Sequence, residues 1–421
     1  MSSITLTHKV SGLDRLLAAA TLASLAVGPV WTLSFGEGKL LLSPAQFLLI
    51  PLVFQYVIAN LNLPGTLRKS GTYARTGGPI LAAVLLMIPV FTAFNPASAA
   101  AAFTNFFCGV LVGFFIARSW SAADPGSFGI VDLGLMLFVL SSSAQMFMLF
   151  RAAGSAGAFH STAAASWGGS NYVGGVLVIA SFAALGRSQV MNRASGWMLL
   201  AAGIGLASAL ITTSRGAVLS LGAGLIVFLW GYGKTPLRRF LVRTAALVSP
   251  LLTAFLLSMI NSARFEGQGG DSANISARFE LFDISWSQFL SSPLWGTGWA
   301  TLESVTVDRF GAPLTFAHNL FFSFLQIGGF LSIPILFYIL VSVTLGISRR
   351  HAFAAAAAAM FVLAQTEPIF EGLVGASIAF TILQVINNTG LNPASEVPHG
   401  FNNAIDRLEH GKRSNRVPNA R

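Results

Sequence analysis

The chain has 421 residues, of which 54% are hydrophobic and only 10% are charged, and its mean hydropathy is +0.70. Soluble globular domains carry about 25% charged residues, so this composition excludes an ordinary soluble protein and predicts a polytopic membrane protein. The net charge of +10 lies in short clusters between apolar runs, which argues against nucleic-acid binding. Because Cys108 is the single cysteine, an intrachain disulfide and a cysteine-based metal site are also excluded.

Twelve apolar stretches are long enough to cross about 30 Å of hydrocarbon. The first follows Lys9 and Arg15 and could be read as a signal peptide, but a first membrane helix with a cytoplasmic N-terminus fits the rest of the chain. We therefore predict an all-α fold, a polytopic membrane helix bundle of about 12 transmembrane helices. The predicted spans are residues 14–33, 43–62, 78–95, 97–117, 128–150, 171–186, 195–212, 215–232, 240–261, 318–346, 351–366 and 369–388.

The distribution of lysine and arginine predicts the orientation. With the N-terminus in the cytoplasm, 19 of the 25 positive residues fall on the cytoplasmic side, as the positive-inside rule requires, and both termini are cytoplasmic. We predict a single transmembrane domain over residues 1–389, with a long periplasmic loop at 261–318 that contains short helices. Residues 390–421 are basic and carry three prolines, which predicts a disordered cytoplasmic tail that is attracted to anionic lipids.

Six positive residues fall on the outer side, against this bias. Lys39 and Arg151 are predicted at helix ends, where long side chains can reach the lipid headgroups. The other four are candidates for contact with an anion: Arg215, Arg264, Arg278 and Arg309.

Arg215 lies in Thr212-Thr213-Ser214-Arg215-Gly216, a turn of a few residues between two apolar runs. This position would hold it at the outer membrane boundary on rigid helices. Its planar guanidinium, with five N–H donors, suits a phosphate or a pyrophosphate. A lipid headgroup, or an ion pair with Glu367 or Glu371, would also account for an arginine here.

The long outer loop begins with a glycine-rich segment, 264–271, which we interpret as a mobile entry segment. Ser276 is predicted to cap a helix from Ala277 to about Leu290. Arg278 would then lie at the start of this helix, where free N–H groups and the helix dipole favour an anion. An apolar stripe suited to the membrane surface or the bundle is formed by Phe279, Phe282, Trp286 and Phe289.

His318 opens the next predicted membrane helix, in Ala317-His318-Asn319-Leu320. A histidine at the membrane boundary can be neutral near pH 7 and can accept a proton from a sugar hydroxyl. A lone histidine here more often only forms a hydrogen bond at a helix start, but a cavity shared with two arginines favours a general base. The sequence does not rank the carboxylates predicted on the same face: Glu280, Asp283, Glu303, Asp308, Glu367 and Glu371.

The motifs occur in a characteristic order: Thr213-Ser214-Arg215-Gly216, Arg278 with Trp286, Pro293-Leu294-Trp295-Gly296-Thr297-Gly298, His318-Asn319, and Gly328 with Gly329. This order resembles the O-antigen ligase and polysaccharide polymerase superfamily of bacterial membrane proteins. The resemblance covers roughly Gly196 to Leu345. One departure is Gln326, because many members place a glutamate before the glycine pair.

The resemblance implies a glycosyltransferase of the bacterial inner membrane that acts on the periplasmic face in O-antigen or exopolysaccharide assembly. Its donor would be a glycan on undecaprenyl diphosphate, and its acceptor a hydroxyl of a glycan or lipid-linked sugar. Carried over to this chain, Arg215 and Arg278 hold the diphosphate and His318 activates the acceptor hydroxyl. The further substrate-binding candidates are Arg264, Arg309 and Asn319.

No metal ion and no cofactor is expected, since two arginines can stabilise the charge that develops on a leaving diphosphate. The expected partners are the lipid-linked donor, the acceptor, membrane lipids and other polysaccharide-assembly proteins, and no nucleic acid. The motifs leave open whether the chain is a polymerase, which joins lipid-carried repeat units, or a ligase, which moves a finished polymer to another acceptor.

A transporter or flippase of a lipid-linked anionic glycan is the alternative reading, with the same arginines as its binding site. Such a protein would be expected to carry ionisable residues at mid-bilayer depth. The predicted spans are nearly free of them, and Asp132, near the cytoplasmic start of its helix, comes closest.

Overall fold

The computed structural model is mainly helical, with one β-hairpin. It describes residues 10–35, 38–61, 72–122, 126–154, 159, 170–191, 195–231, 240, 244, 248, 253, 271–302 and 317–388. Several predictions therefore lie outside the described residues: most of the span 240–261, the tail 390–421, and Arg264, Glu303, Asp308 and Arg309.

The described chain contains fourteen α-helices and one 3-10 turn. Those before the long polar loop are α1 (Gly12–Ser24), α2 (Pro44–Leu61), α3 (Thr72–Leu85), α4 (Ile88–Thr92), α5 (Pro96–Ser121), α6 (Ile130–Ala153), α7 (Ser170–Val190), α8 (Ser195–Ile211) and α9 (Arg215–Gly231). Within and after it come α10 (Asp271–Ser291), α11 (Leu320–Gly328), a 3-10 turn (Gly329–Ser332), α12 (Ile333–Ser348), α13 (Ala354–Leu363) and α14 (Leu373–Asn388).

Four stretches within the described residues are long and apolar enough to cross a membrane. They are Pro96–Ser121, Ile130–Ala153, Asn171–Val190 and Leu320–Ser348, and each coincides with a predicted span. Six shorter apolar helices fall within other predicted spans, so the helical membrane fold is supported while the number of twelve crossings remains a prediction.

The first predicted span, 14–33, is wrong in its second half. Helix α1 ends at Ser24, and the chain then forms a β-hairpin in which β1 (Trp31–Phe35) pairs antiparallel with β2 (Gly38–Leu42). The apolar residues of β1 alternate with polar ones, at Trp31, Leu33 and Phe35, which favours a strand. Lys39 consequently lies in a strand rather than at a helix end.

The outer surface of the bundle is apolar, as expected for a protein surrounded by lipid. Large hydrophobic side chains are widely exposed, including Phe54, Leu81, Phe91 and Phe337, each of which is at least 65% exposed. Apolar surface on this scale is unusual for a protein in water. The described surface therefore fits a membrane environment.

Glycines allow the central helices to approach closely. Helix α5 carries Gly109 and Gly113 four residues apart, and both face α14. A methyl group added at Gly113 would lie 2.6 Å from Cβ of Phe380. Small residues at this spacing let helix backbones pack against each other in lipid, where the hydrophobic effect does not drive helix association.

A buried ion pair joins α6 and α7. Nε of Arg187 donates to Oδ1 of Asp132 at 2.7 Å and a terminal nitrogen donates to Oδ2 at 2.9 Å, with both side chains almost completely buried. The indole nitrogen of Trp120 also donates to Asp132, at 2.8 Å. The carboxylate of Asp132 is thus fully engaged in a structural contact, which removes the closest candidate for a mid-membrane transport residue.

We expect Asp132→Ala to destabilise the protein, because Arg187 would be left buried without its counter-charge. Breaking such a pair costs about 3–5 kcal/mol, whereas replacing both partners by apolar residues is often close to neutral. Thermal unfolding in lipid nanodiscs should therefore show a large decrease in Tm for Asp132→Ala and a smaller one for the double variant Asp132→Leu with Arg187→Met. An unchanged Tm in Asp132→Ala would contradict the structural role.

Candidate functional site

The loop between α13 and α14, residues 364–372, lies at the centre of the candidate site. It is fixed to the start of α11, because the backbone N–H of Leu320 donates to the carbonyl of Ala364 at 2.7 Å. The side-chain amide of Asn319 donates to Oε1 of Gln365 at 3.2 Å. Within the loop, the N–H of Glu367 donates to the carbonyl of Leu363 at 2.8 Å, so the position of Glu367 is set by backbone contacts.

Arg278 reaches this loop from α10. One terminal nitrogen donates to the carbonyl of Thr366 at 3.0 Å, and the other donates to Oε1 of Glu367 at 3.2 Å. The arginine side chain is 35% exposed, whereas that of Glu367 is only 6% exposed. Arg278 is therefore anchored on one side and open to solvent on the other.

Helix α10 begins earlier than the sequence predicted. It starts at Asp271 rather than Ala277, so Ser276 lies inside the helix and does not cap it. Arg278 lies two turns into the helix rather than at its start, and the predicted contribution of the helix dipole at this arginine does not apply. The position of the Arg278 side chain is set instead by its hydrogen bonds to Thr366 and Glu367.

Packing against α11 fixes the rotation of α10. The ring of Phe282 stacks on that of Phe322 in α11 with centroids 4.9 Å apart. Phe289 packs edge to face against Phe330, in the 3-10 turn that follows α11, with centroids 5.7 Å apart. The predicted stripe is thus partly packed, although Phe279 remains 63% exposed. Aromatic pairs of this geometry stabilise the contact beyond their buried area.

His318 lies beside the other carboxylate oxygen of Glu367. Its Nδ1 lies 3.5 Å from Oε2 of Glu367, an ion-pair distance that is long for a hydrogen bond. The histidine precedes α11 with a φ of 53°, and Asn319 caps that helix by accepting hydrogen bonds from the N–H groups of Phe321 and Phe322. A left-handed backbone is uncommon outside glycine and often occurs at functional sites.

Arg215 is the first residue of α9. The helix is capped by Ser214, whose hydroxyl accepts a hydrogen bond from the N–H of Ala217 at 3.0 Å. Thr213, with a φ of 48°, turns the chain sharply between α8 and α9. Arg215 therefore lies at a helix N-terminus, where backbone N–H groups add to its positive field.

The start of α9 packs directly against the loop that carries Glu367. A methyl group added at Gly216 would lie 3.1 Å from the hydroxyl of Thr366 and 3.4 Å from Cγ of Glu367. Arg215 is the neighbour of Gly216 in the chain, so its backbone lies beside the loop that carries Glu367. Arg278 beside this loop and Arg215 at the adjoining helix terminus are positive groups that would attract an anion.

Asn319, predicted to bind substrate, has a structural role in the described residues, and its substrate contact stays a prediction. Its carbonyl oxygen caps α11 and its amide group contacts Gln365, which are contacts within the protein. Asn319 therefore stabilises the start of α11 and its contact with the central loop.

Glu371 is a second buried carboxyl group of the loop, just before α14 begins. Burial raises the pKa of Glu371 to about 7, against smaller opposing contributions from the backbone of its own turn and from Ser323. The phenol of Tyr172 borders the same turn and accepts a hydrogen bond from the N–H of Gly375 at 2.6 Å. Glu371 therefore holds its proton to a higher pH than an exposed glutamate does.

The raised pKa of Glu371 makes stability depend on pH. The folded protein holds this proton more tightly than the unfolded chain, whose carboxyl has a pKa of 4.5, so the free energy of unfolding falls as pH rises from about 4.5 to about 7. Glu371→Gln, which mimics the protonated form, should remove this component of the pH dependence and raise Tm at about pH 8. Thermal unfolding at about pH 5 and pH 8 tests this, and an unchanged pH dependence would contradict it.

The motif Pro293–Gly298 connects α10 to α11. The N–H of Thr297 donates to the carbonyl of Gln326 at 2.8 Å, and the N–H of Gly298 donates to that of Ile327 at 3.1 Å. Trp299 is fully buried, and its indole nitrogen donates to the carbonyl of Leu86 at 2.9 Å. The motif therefore fixes the C-terminal end of α10 to the bundle.

Gln326 has a clear physical role in this connection. Its side-chain amide donates to the hydroxyl of Thr297 at 3.0 Å and to the carbonyl of Gly298 at 3.2 Å. An ionised glutamate has no hydrogen to donate. A glutamine therefore suits this position, where the resembling superfamily often has a glutamate, because its amide has two hydrogen-bond acceptors here.

Gly298 is required by both conformation and space. Its φ is 96°, and a methyl group would lie 2.6 Å from the carbonyl oxygen of Pro89 and from Cβ of Ala93. We expect Gly298→Ala to displace the end of α10 and so lower both Tm and any activity that depends on Arg278. Gly203→Ala in α8 is the matched control, because a methyl group there meets nothing within 4 Å. Equal Tm values for the two variants would contradict this role.

Glu367 is the site residue that the sequence did not single out. It was one of six unranked carboxylates, and its partner Arg278 is 89 residues away in the chain. The available signal was its position in a short turn between two apolar runs, followed by Pro368, which is the same kind of position that pointed to Arg215.

A family model described as O-antigen ligase matches residues 198–337, about a third of the chain. The matched segment runs from α8 into α12 and contains Arg215, Arg278 and His318, whereas Glu367 lies beyond it. The match confirms the resemblance to the O-antigen ligase and polymerase superfamily and supports a membrane glycosyltransferase of that general type. No curated protein matches the chain significantly.

Proposed function

We propose that this chain moves a glycan from undecaprenyl diphosphate to a sugar hydroxyl on the periplasmic side of the bacterial inner membrane, in O-antigen or exopolysaccharide assembly. The observation that carries the proposal is the convergence of Arg278 and His318 on one buried carboxylate, beside the helix terminus that bears Arg215. All three residues fall within the segment that matches the O-antigen ligase family.

Arg215 and Arg278 would bind the diphosphate of the donor. As the bond between the anomeric carbon and the phosphate oxygen breaks, negative charge develops on the departing diphosphate. Guanidinium groups offer several N–H donors in fixed geometry to that charge. A preorganised donor of this kind typically contributes a factor of about 100 or more to the rate, so the proposed reaction uses no metal ion.

His318 would act as the general base. The acceptor hydroxyl oxygen forms the new bond to the anomeric carbon, its proton passes to the imidazole, and the electrons of the broken bond remain on the diphosphate. Attack from the face opposite the leaving group inverts the configuration at this carbon. A neutral imidazole suits the step because one of its ring nitrogens carries a lone pair that can accept the proton.

Transfer by the purified protein in nanodiscs, with undecaprenyl-diphosphate glycan, acceptor and EDTA, tests this function. We expect wild type to transfer and Arg215→Ala, Arg278→Ala and His318→Ala each to lose about 100-fold or more in rate. Arg151→Ala is the matched control, since this exposed arginine at the end of α6 should be dispensable.

Each outcome of the transfer experiment decides a different point. A ladder of lengthened glycans would identify a polymerase, and attachment of one finished glycan to a separate acceptor would identify a ligase. Movement of the lipid across the bilayer without transfer would replace the proposal by transport, and full activity of all three variants would contradict the assigned site. Loss of activity in EDTA alone would contradict metal independence.

A further inference from the structure

Glu367 is the point at which the proposed donor-binding and acceptor-activating residues meet. Its Oε1 accepts from Arg278 at 3.2 Å, and its Oε2 lies 3.5 Å from Nδ1 of His318. The carboxylate is 6% exposed, while the two partners are 35% and 27% exposed. A buried acid between two more accessible partners is placed to orient both of them.

The position of Glu367 does not depend on these two side chains alone. Its N–H bonds to the carbonyl of Leu363, and the loop is tied to the start of α11 through Ala364 and Gln365. Arg278 also holds the carbonyl of the preceding residue, Thr366. The carboxylate is therefore preorganised before any substrate binds.

The contact at Nδ1 matters because the two ring nitrogens of a neutral histidine have opposite roles. A carboxylate facing one nitrogen favours the proton there, which leaves the lone pair of the other nitrogen free to accept. Since Glu367 faces Nδ1 of His318, the accepting atom is Nε2. Once Nε2 has taken the proton, the same carboxylate stabilises the imidazolium that results.

We propose that Glu367 is a positioning residue that holds His318 with its proton on Nδ1, so that Nε2 takes the proton of the acceptor hydroxyl. The inference rests on the proposed glycan transfer. In the complete step, the hydroxyl proton moves to Nε2, the hydroxyl oxygen bonds to the anomeric carbon, and the diphosphate leaves with the electrons of the broken bond. Glu367 itself forms no bond to the substrate.

Removal of the negative charge of Glu367 should affect donor binding and turnover differently. Arg278 uses two of its five N–H donors for Thr366 and Glu367, and removing the negative charge of Glu367 leaves a guanidinium that is still positive. The affinity for the diphosphate should therefore be kept or increased when this charge is removed. A general loss of structure would instead weaken binding and turnover together.

The experiment is steady-state transfer in nanodiscs by Glu367→Gln, Glu367→Asp and the matched control Asp283→Asn, an exposed carboxylate on α10. We expect Glu367→Gln to lower kcat by about 100-fold or more, as is seen when an orienting acid beside a catalytic histidine loses its charge. KM for the donor should stay within about threefold of the wild-type value or fall. Glu367→Asp should fall between wild type and Glu367→Gln, and Asp283→Asn should match wild type.

A double-variant comparison separates positioning from a merely structural role. In a His318→Ala background, Glu367→Gln should cause no further loss, because the base that it orients is already absent. Equal losses in both backgrounds, or wild-type kcat in Glu367→Gln, would overturn the inference. Should Glu367→Gln fail to fold, the same comparison with Glu367→Asp decides the point.

The failure of this inference is distinguishable from failure of the proposed function. Wild-type protein that transfers no glycan would contradict the function. Wild-type protein that transfers glycan, with Glu367→Gln and His318→Ala giving additive losses, would leave the function standing and remove Glu367 from the step.

Discussion

The buried carboxylate of Glu367 is the contact on which the rest of the site depends. A carboxylate removed from water is stable only when positive or N–H groups surround it, and here Arg278 and His318 supply them. This requirement draws α10 toward the loop between α13 and α14 and holds the start of α11 beside it. Elements far apart in the chain therefore present their polar residues in one place.

The bundle provides a rigid support for this contact. Helices α5 and α14 approach closely through Gly109 and Gly113, and the ion pair between Asp132 and Arg187 joins α6 to α7. Tyr172, in the first turn of α7, lies next to the central loop, and Arg187 lies in the last turn of the same helix. The ion pair is therefore at the opposite end of the bundle from the site. The two ends of the bundle differ in the exposure of their charged groups. Asp132 and Arg187 are both buried, whereas at the site Glu367 is buried but Arg278 and His318 are partly exposed.

Much of the fold followed from the sequence because long apolar runs have few structural alternatives in lipid. Arg215, Arg278 and His318 could be selected as candidates for the same reason, since charged or titratable groups stand out between apolar helices. The β-hairpin after α1 was missed because a short alternating apolar segment resembles the end of a membrane helix. The earlier start of α10 was missed because the hydroxyl of Ser276 suits a cap as well as a helix interior.

The ranking of the carboxylates could not be predicted, because it depends on contacts between residues distant in sequence. Glu367 contacts Arg278 across 89 positions, and no local pattern encodes that pairing. The glycine motif could be recognised by its order, but its role in fixing the end of α10 depends on the partners of Gln326 and Trp299. Arg264 and Arg309 remain predictions, since they lie outside the described residues.

The most direct test of the account is a cryo-EM structure of the protein in nanodiscs with undecaprenyl diphosphate. The account predicts diphosphate density within hydrogen-bond distance of both Arg215 and Arg278, with Nδ1 of His318 still facing Glu367. Diphosphate bound at the opposite end of the bundle, or bound without either arginine, would contradict it.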